Sequence, residues 1–258
     1  MIPAEIEIDG RKFPAAKGEY VLDVARRNGI FIPSLCAHPL LTPYGACRLC
    51  LVEVQQGRHK RVVASCAYPV QAGQVVRTTT EQISELRRGI MELLLARCPD
   101  SPPVRALAGR LGVNESRFPP LGRAGEQCVL CGLCVRVCSE VVGSSAIGFA
   151  SRGWERHVDS PFSLGSEDCL GCGACVAVCP TNAILVRLGV DTLTVLPFKN
   201  TVPLDRCVMC GKPATSSPLL TFVKLRLPPA LAPDALCPEC RLDKTARALA
   251  AAAALQRP

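Results

Sequence analysis

The chain has 258 residues, a formal charge of +8, and 48% apolar residues, but only 4% of its residues are aromatic and 17 are cysteine. Without the cysteines the apolar set is thin, which argues against one large core and for small modules held by cysteine-ligated metal. The longest apolar run, Ala248 to Leu255, is far short of the roughly 20 residues that cross a bilayer, and MIPAEIEIDG lacks a basic then apolar leader, so no membrane span or secretory signal is expected.

Residues 1–80 read as a small mixed module. Ile6 and Ile8 alternate with Glu5, Glu7 and Asp9, and Asp9-Gly10 is a hairpin turn signal. Residues 20–29 predict a helix with Val21, Val24 and Ala25 on one face and Asn28-Gly29 as its stop. Strands are expected over Leu51–Val54, Arg61–Ala64 and Gln74–Thr78. The run EQISELRRGIMELLLAR predicts a helix over 81–97, with Ile83, Leu86, Ile90, Leu93 and Leu94 on one side.

Within that first module Cys36, Cys47, Cys50 and Cys66 have the spacing C-x10-C-x2-C-x15-C. The run between the first two is rich in turn formers, as expected of a loop wrapped around a cofactor. Three ligands on one loop and a fourth on a later strand is the plant-type [2Fe–2S] arrangement, although the first gap is longer than the usual four residues. A zinc site on the same four residues is the weaker alternative.

Residues 99–127 are Pro/Gly-rich around a short helical piece, Val104 to Leu111, so 81–127 reads as helix and linker. Residues 128–190 contain C-x2-C-x2-C-x3-C twice, 41 residues apart. This is the bacterial ferredoxin run, in which the fourth cysteine ligates the other cluster. One [4Fe–4S] cluster is therefore expected on Cys128, Cys131, Cys134 and Cys179. A second is expected on Cys138, Cys169, Cys172 and Cys175. Gly132, Gly171 and Gly173 allow the tight turns around a cube. The first copy has Ser139-Glu140 where Pro180 follows the second.

In 200–245, CVMC is followed 26 residues later by CPEC. Two C-x2-C knuckles joined by a strand-containing segment, LLTFVKLRL, have the layout of a zinc ribbon. Zinc on Cys207, Cys210, Cys237 and Cys240 is favoured, and a further [4Fe–4S] cluster remains open, because spacing does not separate them. Residues 246–258 form a tail, either a short helix or disordered. Cys98 has no C-x2-C partner and reads as a free buried or linker thiol. His38, His59 and His157 are isolated, and Trp154 reads as packing.

An odd cysteine count in C-x2-C steps argues for metal-bound thiolates in a reduced, cytoplasmic protein. Each oxidised four-thiolate site carries about −2, so four would offset the basic excess with about −8. The positive balance is thus counter-charge, and no nucleic-acid partner is expected. No G-x-G-x-x-G, Walker A, G-x-S-x-G or convergent carboxylate pair is present. The residues supply electron carriers and no place for bond-making chemistry.

PSLCAHPLL, YGACRLCLVEV, CVLCGLCVRVCSEVVGSSAIGFASRG and SEDCLGCGACVAVCPTNAI resemble, across about residues 1–190, a known iron–sulfur family. It comprises the small diaphorase-side subunit of cytoplasmic NAD(P)-linked [NiFe] hydrogenases and the N-terminal iron–sulfur region of the complex I large subunit, [FeFe] hydrogenases and NAD-linked formate dehydrogenases. The resemblance implies an α+β fold: a β-grasp [2Fe–2S] domain, a two-[4Fe–4S] ferredoxin domain, and here a zinc-ribbon-like module. It implies a non-catalytic electron-transfer subunit in a hetero-oligomer. The partners would be a flavin-containing NAD(P)H subunit and a separate catalytic subunit of hydrogenase or formate dehydrogenase type. The alternative is an electron-bifurcating complex that also uses ferredoxin. The family often carries a further [4Fe–4S] cluster on one His and three Cys between the two modules. Here that region keeps only Cys98, so that cluster is expected to be missing.

Overall fold

The computed structural model describes residues 4–121 and 125–255. At the first turn Asp9 and Gly10 both adopt positive φ, 49° and 78°, which matches the right-handed twist of the strands they join. That turn closes β1 (Ala4–Ile8) on β2 (Arg11–Ala15). The Asp9 carboxylate then accepts from the Thr78 backbone N–H at 2.8 Å and the Thr78 hydroxyl at 2.6 Å. These bonds pin β5 (Gln74–Arg77) beside β1 in parallel. With β3 (Leu51–Gln56) and β4 (His59–Ala64) the sheet order is β2-β1-β5-β3-β4, the β-grasp arrangement.

Helix α1 (Val21–Arg27) buries Val21, Leu22, Val24 and Ala25 on this sheet, against Ile6, Ile8, Val52, Val54 and Val76. It stops where Gly29 takes φ 72° and the Ile30 N–H returns to the Ala25 carbonyl at 2.9 Å. Cys50 and Cys66 belong to the same core, so the cofactor-bearing loop is anchored in the sheet.

Helix α2 (Glu81–Arg97) is capped by Thr80, whose hydroxyl accepts from the Ile83 N–H at 3.2 Å. Its buried face differs from the apolar stripe read from sequence. Arg87, Met91, Glu92 and Leu95 are buried with Ile83, whereas Leu86 and Leu93 are exposed. The rotation has a polar cause. Arg87 donates to the Leu49 carbonyl at 3.1 Å and the Leu51 carbonyl at 2.7 Å, satisfying backbone acceptors beside Cys50. Glu92 accepts from Arg117 at 2.7 Å.

The stretch expected as a linker carries α3 (Pro102–Arg110), with Pro in its first turn and Val104 and Ala108 buried. These side chains join Leu35, Leu49, Met91, Leu95 and Cys98 in a second core.

The chain divides into two compact units. The first runs to Arg136 and takes in Val178–Ala183; the second is Val137–Ala177 and the chain from Ile184 onward. Short α4 (Leu133–Arg136) runs into a turn of π-helix over Val137–Val142. The second unit contains the hairpin β6 (Gly148–Ala150) and β7 (His157–Asp159), and α5 (Ala174–Ala177). It also holds an antiparallel sheet ordered β11-β10-β9-β8, from β8 (Leu185–Leu188), β9 (Thr192–Leu196), β10 (Asn200–Arg206) and β11 (Pro213–Ser216).

One expectation for the C-terminal part is corrected. LLTFVKLRL is not a strand: α6 (Ser217–Lys224) covers most of it, with Pro218 in its first turn. A short apolar run reads equally as strand or helix, and the early proline favours the helix. The two knuckles are therefore not joined as in a zinc ribbon. The tail continues a long helix, α7 (Pro238–Leu255), whose alanine-rich end has high helix propensity. Among the described residues no helix is long and apolar enough to cross a membrane.

Replacing Arg87 by Met keeps the bulk but leaves the Leu49 and Leu51 carbonyls unpaired. The variant should lose about 2 kcal/mol of unfolding free energy, measured by chemical denaturation, and an unchanged midpoint would refute this role.

Candidate metal centres

The first centre lies at the edge of the β-grasp core. Cys36, Cys50 and Cys66 are buried and Cys47 is half-buried. Backbone donors point at the sulfurs: the Cys47 N–H reaches Cys36 Sγ at 3.4 Å and the Leu35 N–H reaches Cys47 Sγ at 3.4 Å. The thiols also bond one another. The Cys47 thiol, then the Cys66 thiol, holds Cys36 far below the usual thiol range. Cys66 likewise brings Cys50 down to about 6. The donors Cys47 and Cys66 are pushed up in turn. Four sulfurs that share protons this way are a site made for cationic metal, which replaces the protons.

The central runs form two further groups. Cys128, Cys131, Cys134 and Cys179 all lie in the first unit; Cys138, Cys169, Cys172 and Cys175 all lie in the second. The electrostatics follow the same division. Burial pushes up Cys128, Cys131 (to about 11) and Cys134, and Cys179 adds repulsion at each. Burial also raises Cys169 and Cys175 (to about 12), and there the added repulsion includes Cys172 and Cys138. Each run thus places its fourth thiol with the other run's first three. Thiols this reluctant to ionise need positive charge nearby, which iron supplies.

Local geometry repeats as well. Leu130 and Gly132 have φ of 55° and 75°, and Gly171 and Gly173 have 61° and 72°. Leu130 tolerates the left-handed region, but a Cβ on Gly171 would lie 2.5 Å from Val202 Cγ2. Four cysteines of the second group border a cavity of about 390 Å³ of atom-free space, solvent included, with Phe198 and Asn200 on its wall. In the first unit Ala183 N–H donates to Cys179 Sγ at 3.3 Å, and Arg97 holds the Cys128 carbonyl at 2.8 Å.

Arg136, one turn after Cys131, is buried. It donates to the Cys36 carbonyl at 3.2 Å and to the Thr42 carbonyl, with Tyr44 beneath its guanidinium. Cys36 is also among the charges felt by Cys131. The first two centres are therefore neighbours within one unit, with Leu35, Leu49, Cys47 and Val129 packed in the same apolar cluster.

At the C-terminus the sulfurs of Cys207, Cys210, Cys237 and Cys240 all lie within 4.8 Å of one another. Cys210 Sγ and Cys237 Sγ are 3.6 Å apart. Tetrathiolate zinc with bonds of about 2.3 Å has sulfur–sulfur edges of about 3.8 Å, so one metal ion fits. A four-iron cluster carries its cysteines on separate irons and needs a wider ring. The first knuckle turns between β10 and β11, and the second opens α7. The Cys237 N–H, followed by those of Met209 and Cys210, brings Cys207 down to about 6.

Cys98 is buried in the second core, which pushes its thiol up to about 12. His38 accepts from the Leu40 N–H at 3.3 Å, and His157 meets the Glu155 carbonyl at 2.7 Å. His59 is exposed on β4. Trp154 does not pack as expected: it is 59% exposed. Sequence reasoning missed Arg87, Arg136 and Asn200, whose contacts lie far along the chain and leave no local signal.

A family model for a 2Fe-2S iron–sulfur cluster binding domain matches residues 3–81, and one for a 4Fe-4S dicluster domain matches residues 127–183. The 78 kDa subunit of mitochondrial NADH-ubiquinone oxidoreductase from Candida albicans is 34% identical over 173 residues, 58% of this chain and 24% of that protein. A subunit of NADH-quinone oxidoreductase from Streptomyces coelicolor is 36% identical over 173 residues, 57% of this chain and 20% of that one. The chain thus spans about a quarter of the length of the curated relatives it matches. A chain of an NAD+-reducing [NiFe]-hydrogenase, solved in the H2-reduced state, superposes with a TM-score of 0.54 at 31% identity, covering 61% of this chain and 74% of that one. This protein belongs to that iron–sulfur family of electron-transfer subunits, with an α+β fold built on a [2Fe–2S] domain and a [4Fe–4S] dicluster domain.

Metal uptake by the C-terminal four should depend on pH. Cys207 is ionised above about 6. Cys240, which donates to Cys237 and Cys210, is held up to about 12. At Cys210 the Lys212 amide pulls down, but burial and donation to Cys207 and Cys237 outweigh it, so it too is raised. Zinc must expel the Cys210 and Cys240 protons, so affinity rises with pH from about 6 to about 12. It falls more steeply with acid below about 6, where Cys207 is protonated too. Competition against a chromogenic chelator across pH measures this; a flat profile would contradict it.

Proposed function

We propose that the chain is the iron–sulfur electron-transfer subunit of a multisubunit, cytoplasmic oxidoreductase. It relays electrons between a flavin-containing NAD(P)H subunit and a separate catalytic subunit of hydrogenase or formate dehydrogenase type. Its cofactors are one [2Fe–2S] cluster on Cys36, Cys47, Cys50 and Cys66, and two [4Fe–4S] clusters. One of these is on Cys128, Cys131, Cys134 and Cys179; the other is on Cys138, Cys169, Cys172 and Cys175. Zinc on Cys207, Cys210, Cys237 and Cys240 is structural. When bound, the clusters supply one-electron redox chemistry and the zinc supplies none.

The observation that carries this reading is the crosswise grouping of the two cysteine runs, three thiols of one with the fourth of the other. That exchange serves paired clusters and has no use in a single-metal scaffold. The remaining residues suit the same task. Leu35, Leu49, Met91 and Leu95 keep water from the space beside the first centre. Arg87 and Arg136 place buried positive charge beside its loop, where it offsets thiolate charge. The close C-terminal sulfurs favour one zinc over a further cluster. The relatives' names, NADH-quinone oxidoreductase and NAD+-reducing hydrogenase, support the proposed partners.

Anaerobically purified protein should be brown, hold about ten iron atoms and one zinc per chain, and bleach with dithionite. A colourless preparation containing zinc alone would end the proposal. The ligand exchange has its own test by electron paramagnetic resonance. C138S and C172S should abolish one four-iron signal, and C179S and C131S the other. Loss of the same signal in C138S and C131S would overturn the crosswise assignment.

A further inference from the structure

The sheet β8–β11 begins after the dicluster family model ends at residue 183, yet it grips the second four-iron loop. Ser216 Oγ donates to the Leu170 carbonyl at 2.6 Å. Val202 and Ser216 close over Gly171 so tightly that a Cβ there would stand 2.5 and 3.0 Å from their side chains. Asn200, the first residue of β10, is 1% exposed and forms part of the wall of the cavity bordered by Cys138, Cys169, Cys172 and Cys175.

Its orientation is set by the backbone. Asn200 Oδ1 accepts from the Ser166 N–H at 2.8 Å. The acceptor end of the amide is thereby committed, and the other end has only N–H bonds to offer. Ser166 is three residues before Cys169, so the amide is held beside that thiol. We propose that Asn200 is a positioning residue that sets the reduction potential of the second four-iron site by donating a side-chain N–H to the Cys169 thiolate. The Asn200 side chain is a hydrogen-bond partner of the Cys169 thiol.

The proposal rests on the reading that Cys138, Cys169, Cys172 and Cys175 hold a [4Fe–4S] cluster. Reduction makes such a cluster more negative, so a donor on its thiolate favours the reduced form and raises the potential. A residue outside the cysteine run would then tune this site and leave its repeat-related twin alone.

The test uses the full chain, reconstituted anaerobically and titrated electrochemically with resonance detection. N200D keeps an oxygen for the Ser166 N–H but replaces the donor by an acceptor. At the wild-type midpoint, the reduced-to-oxidised ratio of the signal abolished in C172S should fall about tenfold, about 59 mV for a one-electron couple. The other cluster signals should not move. Unchanged midpoints throughout would overturn the proposal.

If N200D does not retain the cluster, wild-type protein labelled with 15N in asparagine side chains decides the matter. Nitrogen hyperfine coupling on the C172S-sensitive signal supports the proposal, and its absence overturns it. Failure of the underlying reading would show earlier and differently, as wild-type protein with no four-iron signal that C172S removes.

Discussion

Two of eight thiols, Cys138 and Cys179, lie with the opposite one of two similar segments, and this crosswise grouping governs how the rest of the chain is arranged. In C-x2-C-x2-C the turn brings three sulfurs around one centre, and the following helix carries the fourth away. Neither segment can therefore complete its own site. The chain passes from one unit to the other after Arg136, returns at Val178, and leaves again at Ile184. Each passage falls within a few residues of a ligand. Any change that lengthened α4 or α5 would misplace a thiol at a site to which the rest of its segment does not belong.

Around the thiols the protein does two opposed things. At Cys134 and Cys175 burial disfavours the thiolate, and neighbouring thiolates would add repulsion. Backbone N–H groups, short loops at positive φ and buried guanidinium groups favour it. A bound metal would tip the balance toward the thiolate. This accounts for a buried arginine on α2 where an apolar helix face would suffice for stability alone. Arg87 satisfies the carbonyls at the start of β3, next to Cys50, and Arg136 joins the Cys36 loop to the turn that bears Cys131 and Cys134.

The C-terminal part follows another logic. Its four sulfurs lie within 4.8 Å of one another, where they could share a metal ion, and they bring the turn between β10 and β11 to the start of α7. The hairpin so closed has its other end, Asn200, Val202 and Ser216, against the Cys169 loop. A metal ion held by these four thiols would brace the strands that line the second cysteine group.

Much of this was legible from the sequence. Asp9-Gly10, Asn28-Gly29 and the C-x2-C steps are local signals whose geometry is set within a few residues, and the elements they imply are present. The sixteen grouped cysteines declared the chemistry, because no other residue type at those spacings has that use. Tertiary structure decided the rest. Periodicity placed Leu86 and Leu93 inside α2, but the unpaired carbonyls of Leu49 and Leu51 needed Arg87 there instead. LLTFVKLRL carries an ambiguous pattern, which its packing and Pro218 resolve as helix. The spacing of Cys207, Cys210, Cys237 and Cys240 marks a candidate metal site, and folding brings their sulfurs within 4.8 Å of one another. Candidate thiols are marked by spacing because each C-x2-C step is local; their grouping across the two runs and the surroundings that would tune them come from residues distant in the chain, and only folding brings them together.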